Sequence, residues 1–286
     1  MENSINQVGL VIVLYKPTSC EIENLHRLAD IYKGCIIDNS PTRSIIENRV
    51  GNMMYIYMNE NVGIARAQNT AIKEIERVKE IEYIVFLDQD TEVSSDYPQK
   101  VVSEYKRIKK HCNNIACLGP IVVNKNELYQ YTSAFHRYNI SIDGFIHTKT
   151  VISSGACIET SIIKKVGYYD ASLFIDYVDM EWCWRAESQG YVCGITQNLS
   201  IYHQIGGKAL RIGKHIILIA SPFRYYYIYR NFLWLIRRKY VPCEWKLLNF
   251  IKLFLRFFYL PIVIPDGKEC WKNMKKGILH GVKQKM

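Results

Sequence analysis

Along the first 120 positions apolar residues gather in short uninterrupted runs, and each run gives way to a turn and then to helical spacing. Val8-Gly9-Leu10-Val11-Ile12-Val13-Leu14 is the first run, closed by Tyr15-Lys16-Pro17. Such a run predicts a strand buried on both faces, as in a parallel sheet under helices. The pattern then predicts a helix over about 21–32. A short strand at Cys35-Ile36-Ile37 ends in the turn-forming Asp38-Asn39-Ser40-Pro41, and a third strand follows at 54–58. Asn61 reads as the N-cap of a helix whose packed face is Ile64, Ala67, Ala71, Ile75 and Val78. Tyr83-Ile84-Val85-Phe86-Leu87 runs straight into Asp88-Gln89-Asp90, and a helix follows over about 96–110. This alternation predicts a doubly wound α/β sheet.

Beyond Ile115 the alternation loosens. Segments near 118–123, 128–135 and 145–152 are strand-like. Ser153-Ser154-Gly155-Ala156 is a small-residue stretch where backbone can approach a ligand closely. A helix near 160–166 ends at Gly167, and another starts near Val178. Strands at 191–195 and 199–203 finish a body that Gly206-Gly207 separates from a tail. The expected division is a catalytic domain over 1–207, with a first part at about 8–120 and a second at about 121–207, followed by a helical extension over 208–286.

The net charge of +10 is unevenly spread. From Lys208 onward there are 17 Lys plus Arg against 3 Asp plus Glu, whereas the first 207 residues carry 20 against 24. A nearly neutral body with a basic tail points to an anionic partner for the tail. Within the tail, Lys252 and Arg256 lie four apart on one helical face, and aromatics and leucines cover the other. Charges so placed disfavour a membrane span and favour an amphipathic helix on an anionic lipid surface. Packing on the body or on a second subunit is the structural alternative. Nucleic acid is disfavoured, because the apolar content exceeds what phosphate contact needs. The nine cysteines form no C-x-x-C pair, and the N-terminus lacks a signal peptide's basic start and apolar core, so reduced thiols in the cytoplasm are expected.

Two acidic clusters carry candidate chemistry. Asp88 and Asp90 end a buried strand, where sites in such sheets lie, and paired carboxylates suit a hard divalent cation; a solvated acidic turn is the plain alternative. In Phe174-Ile175-Asp176-Tyr177-Val178-Asp179-Met180-Glu181-Trp182-Cys183-Trp184-Arg185, Asp179 and Glu181 fall in a first helical turn, where the helix dipole favours carboxylates. The two tryptophans suit a sugar-binding surface and equally a core. His203 closes the last strand, a position more often structural than ligating.

Taken in order, Asp38-Asn39-Ser40, Asn61-x-Gly63-x-Ala65-x-Ala67-x-Asn69, Asp88-Gln89-Asp90, Ser154-Gly155, Asp179-x-Glu181-x-x-Trp184-Arg185 and His203 resemble the inverting family 2 glycosyltransferases of GT-A fold. Phe-Ile-Asp-Tyr-Val-Asp-x-Glu-Trp-Cys before a Tyr/Arg-rich tail is most similar to bacterial L-rhamnosyltransferases of O-antigen and capsule assembly. The resemblance covers about residues 8–240. It implies a dTDP-sugar donor held by Tyr15, Asp38, Asn39, Arg66, Asp88, Gln89, Ser154 and Gly155, and Mg²⁺ or Mn²⁺ on Asp88, Asp90 and His203. Asp179 would be the general base, with Asp176 as rival because Val178 stands where many relatives have Glu; Glu181 and Trp182 would orient the acceptor. The implied acceptor is a polyprenyl-linked glycan at the inner face of the cytoplasmic membrane. A UDP-sugar donor, a non-catalytic scaffold and a homo-oligomer stay open.

Overall fold

The computed structural model describes residues 5–124, 140–142, 144–203, 208–212, 215–264 and 266–284. Its frame is a mixed sheet whose strands, numbered along the chain, are β1 (Val8–Leu14), β2 (Lys33–Asp38), β3 (Arg49–Val50), β4 (Met53–Tyr57), β5 (Tyr83–Asp88), β6 (Ile115–Asn124), β7 (Ile140–Ile142), β8 (Phe145–His147), β9 (Cys157–Glu159) and β10 (Val192–His203). They lie in the order β3-β4-β2-β1-β5-β9-β6-β10-β8-β7. β4, β2, β1 and β5 run parallel, as the uninterrupted apolar runs predict. β9 is antiparallel to both β5 and β6, and so joins the parallel half of the sheet to the second half.

Side-chain alternation explains why each central strand is apolar throughout. Val8, Leu10, Ile12 and Leu14 of β1, with Tyr83, Val85 and Leu87 of β5, enter a core under α1 (Ser19–Ala29) and α3 (Tyr97–Lys109). Val11, Ile84 and Phe86 point the other way, into a core with α2 (Ile64–Ile75), α4 (Thr160–Val166) and α5 (Val178–Ser188). α1 starts earlier than the periodicity suggests because Thr18 and Glu21 form a reciprocal capping box. Gly63, not Asn61, caps α2: Asn61 instead accepts the Gly63 N–H at 3.0 Å, within the turn before the helix.

Two expectations change in the second half. The segment near 145–152 is strand only over β8. The strands expected at 191–195 and 199–203 are one bulged strand, β10, whose register against β6 shifts between Thr196 and Ser200. The segment near 128–135 and Gly206-Gly207 lie outside the described residues.

The tail opens with a hairpin, β11 (Lys208–Ile212) against β12 (His215–Ile219), where helix was expected. α6 (Pro222–Leu235), α7 (Cys243–Val263) and α8 (Gly267–Lys283) follow. Tyr225, Phe232, Trp234 and Trp245 belong to the same core as Val178 and Trp182, so packing is continuous from body to tail. Trp245 meets Trp184 edge-on at 4.8 Å. α7 buries Trp245, Asn249, Leu253 and Leu260, and leaves Leu247, Phe250, Ile251, Phe254, Leu255, Phe258 and Ile262 exposed. Its apolar stripe therefore faces outward. Among the described residues no helix is long and apolar enough to cross a membrane.

Candidate active site

The carboxyl ends of β1, β2 and β5 fall level, since Leu14 pairs with Asp38 and Val13 with Asp88. Gln89 extends the β5 edge with its side chain: its amide oxygen accepts the Tyr15 N–H at 2.6 Å, and Nε2 donates to the Tyr15 carbonyl at 3.3 Å. That clamp leaves the Tyr15 ring exposed on the rim, with the Lys16 ammonium 5.5 Å from its centroid. Lys16 itself is in the left-handed region and donates its N–H to Ser40 Oγ at 2.7 Å.

Asp38 and Asn39 shape the rim rather than face it. Asp38 is fully buried. Oδ1 accepts the Ser40 N–H at 3.0 Å, and Oδ2 accepts the Ser44 N–H at 2.7 Å and the Tyr55 hydroxyl at 2.5 Å. Burial pushes its pKa up, but these donors outweigh burial and hold it below the ordinary value. Asn39 accepts the Val62 N–H at 2.8 Å and donates to Asn61 at 2.9 Å, pinning the approach to α2. At Gly63 φ is +83°, and a Cβ would lie 2.6 Å from the Phe174 ring, so only glycine lets the 174 loop close on the helix start. Arg66 is exposed one turn further on, lining a polar groove with Asn69 and Lys73.

Asp88 and Asp90 are half-buried in the tight turn after β5, where the Thr91 N–H bonds the Asp88 carbonyl at 3.1 Å. Ser154 and Gly155 lie behind this turn. Ser154 is buried with its hydroxyl 2.5 Å from that of Thr91, and the Gly155 N–H bonds the Phe86 carbonyl at 2.7 Å. The close approach that Gly155 permits is that of Tyr97 and Pro120, which would lie 2.7 and 2.9 Å from a Cβ there. Next along the chain, the Ser153 N–H donates to Asp179 Oδ2 at 3.0 Å. The small-residue stretch thus ties the end of β5 to the first turn of α5.

Asp179 keeps an accessible edge on a crevice while protein surrounds the rest of it. Burial raises its pKa to about 7; the Ser153 N–H opposes that shift, and the negative charge of Asp88 adds to it. The loop before it is strained: Phe174, Asp176 and Tyr177 all have φ between 65° and 67°. α6 holds this loop. Arg224 grips both oxygens of Asp176, at 2.5 and 3.2 Å, which commits the rival base to an ion pair. Asn231, fully buried, donates to the carbonyls of Leu173 and Ile175 at 2.8 Å and of Asp176 at 3.2 Å. The sequence signal for these two residues is their spacing, seven apart on one face of an aromatic helix.

Glu181 and Trp182, expected at the acceptor, turn away from the crevice. Glu181 is 1% exposed. It accepts from Arg185 at 2.9 and 3.1 Å and from the Tyr240 hydroxyl at 2.6 Å, and pairs with Arg238 at 3.0 Å. Trp182 is buried against Tyr169 and donates Nε1–H to the Gly167 carbonyl at 2.8 Å. Both are core residues that bind α5 to the tail. The side chain of His203 lies outside the described residues.

A family description, glycosyl transferase family 2, matches residues 22–167. The chain is 30% identical to a dTDP-rhamnosyl transferase, RfbF, of Shigella flexneri, over 96% of this chain and 94% of that protein. It is 20% identical to a low-salt glycan biosynthesis hexosyltransferase, Agl10, of Haloferax volcanii, over 71% of this chain and 68% of that one. Among solved structures, S. aureus TarS residues 1–349 in complex with UDP-GlcNAc superposes with a TM-score of 0.58 at 13% identity, covering 96% of this chain and 81% of that one. GalNAc-T7 with UDP, GalNAc and Mn²⁺ gives 0.53 at 14% identity, over 95% and 55%. At those identities the superpositions speak for the GT-A fold alone, and the matched family description together with the Shigella relative shows that the chain belongs to the glycosyltransferases of family 2.

Proposed function

We propose that this glycosyltransferase moves L-rhamnose from dTDP-β-L-rhamnose, with inversion, to a hydroxyl of a polyprenyl-diphosphate-linked bacterial surface glycan. The observation that carries the chemistry is Asp179, held by the Ser153 N–H within electrostatic reach of Asp88. Its carboxylate takes the proton of the acceptor hydroxyl while that oxygen attacks the anomeric carbon; the bond to the diphosphate breaks on the opposite face, and dTDP leaves. The activity of the Shigella relative supports the donor.

Asp88 and Asp90 fit a divalent cation. They are two half-buried carboxylates at a strand end, an oxygen-only set of the kind Mg²⁺ shares with substrate phosphates. Bound there, Mg²⁺ or Mn²⁺ would neutralise charge on the departing diphosphate. The exposed Tyr15 ring offers the nucleotide base a stacking surface, and Arg66 offers the diphosphate a cation. Asp38, Asn39 and Gln89 act on the donor through the backbone they fix. The outward stripe of α7 would hold the enzyme on the inner membrane face, where its acceptor lies.

Calorimetry with dTDP, UDP and GDP, with and without Mg²⁺ or Mn²⁺, tests the reading. Expected is a metal-dependent preference for dTDP, weakened by Asp90→Ala about tenfold or more, the scale on which disturbing a metal's surroundings acts. A preference for UDP would discard rhamnose and keep the transferase. Affinity for dTDP that ignores both the cation and Asp90→Ala would remove the metal role.

A further inference from the structure

A cavity of about 100 Å³ opens beside Asp179, away from the strand ends that frame the nucleotide half of the site. Pro120, Ile121 and Val122 of β6, Val151 and Ile152 before the Ser153 turn, and Met180 of α5 line it. Among the described residues that line it, Thr150 is the only one with a polar side chain besides Asp179. Gly119 makes the room: a Cβ at that position would lie 2.5 Å from the Val151 side chain. None of Tyr15, Asp38, Arg66, Asp88 or Gln89 reaches this cavity.

A carboxylate on the rim of an apolar pocket restricts what can be brought to it. The accepting hydroxyl must reach Asp179, so the neighbouring part of the acceptor must exchange water for hydrocarbon. A hydroxymethyl group placed there exchanges its water partners for a mostly apolar lining in which Thr150 supplies one hydroxyl, whereas a methyl group gains by the same burial. We propose that this cavity is the acceptor subsite and selects a sugar with a methyl group beside the accepting hydroxyl, a 6-deoxyhexose at the end of the growing glycan. The proposal rests on Asp179 being the base.

The test uses the purified full chain, dTDP-L-rhamnose and three glycosides with one hydrophobic aglycone: L-rhamnoside, L-mannoside, which differs from it only by a 6-hydroxyl, and N-acetyl-D-glucosaminide. Expected is a kcat/KM for the rhamnoside about 10- to 100-fold above that for the mannoside, the range a hydrophobic pocket gives against an added hydroxyl. Val122→Thr, nearly the same volume with one hydroxyl more, should shrink that ratio severalfold while dTDP binds as before. Equal use of rhamnoside and mannoside, preference for the acetamido sugar, or, in a protein that calorimetry shows to prefer dTDP, transfer to none of the three overturns the subsite. Undiminished transfer by Asp179→Asn would instead remove the base reading beneath it.

Discussion

Asp179 is an acid whose surroundings oppose its ionisation. A carboxylate with a pKa near 7 is a better base than an ordinary one and is still about half ionised at neutral pH. Acceptor kcat/KM at saturating donor should therefore rise through pH 6–8 and level off above. The same shift lowers stability. Because the folded pKa lies above the unfolded one, the native state binds more protons between about pH 4 and 7, and this group's contribution to stability falls as pH rises through that window. Asp179→Asn keeps an oxygen for the Ser153 N–H and carries no charge. It should abolish transfer, leave dTDP binding intact and melt at a higher temperature than the natural protein at pH 8. The gap should shrink as pH is lowered to 4. Melting curves across that range check it, and loss of dTDP binding in the variant would contradict the assignment.

At the scale of elements, the strained loop 174–177 and α6 are one device. Three non-glycine residues in the left-handed region are unfavourable by roughly 1–3 kcal/mol each, and persist only where surrounding contacts over-determine them. Those contacts are the Asn231 amide, the Arg224 fork and the stacking of Phe174 on Tyr227 at 4.5 Å. Asn231→Ala removes the donor to the half-buried Ile175 and Asp176 carbonyls, while the Leu173 carbonyl keeps Arg230, at a cost of about 1–3 kcal/mol. It should lower the melting temperature and cut kcat more than tenfold, with the Kd for dTDP unchanged within about twofold, if the loop presents the proposed base and not the donor. An unchanged kcat at saturating substrates would sink the idea.

The same elements show how far the sequence could be read. β1, β2 and β5 were legible because burial on both faces leaves uninterrupted apolar runs, and β4 kept such a run although Met54 is exposed; the β5 run leads straight into Asp88 and Asp90. β9 was not: three residues inserted antiparallel carry too little periodicity to register. Asp179 was singled out by its acidic first turn, and only its role as base came through the resemblance. Glu181 was misassigned for a reason open to geometry alone, since residues two apart on a helix point about 200° from each other. If Asp179 faces the crevice, Glu181 must face the core. The partners that fill that core, Arg238 and Tyr240, come from some 60 residues away and left no local trace.

For the whole molecule, the question is what covers α7. A body of near-neutral charge carries an excess of 14 positive charges from Lys208 onward, and beside them a phenylalanine ladder stands in the open. Phe250 stacks on Phe254 at 6.2 Å, and Phe254 meets Phe258 at 5.1 Å. Exposed lysines lie close by in sequence: Lys252 on α7, and Lys268, Lys272, Lys275 and Lys276 on α8. An anionic bilayer satisfies both features, since acyl chains take the rings and headgroups take the ammonium groups. A second copy of the chain would satisfy only the rings, and would bring two basic tails together against their repulsion. The protein should therefore sediment with phosphatidylglycerol-containing vesicles and less with purely zwitterionic ones. High salt should weaken this binding without abolishing it, because insertion of the rings is not screened. The double variant Phe254→Ser/Phe258→Ser should stay in the supernatant with its fold and dTDP affinity intact, as neither ring is part of the core. If the natural protein ignores vesicles and runs as a dimer that this variant converts to a monomer, the stripe is a subunit interface, and access to the proposed lipid-linked acceptor must come from elsewhere on the molecule.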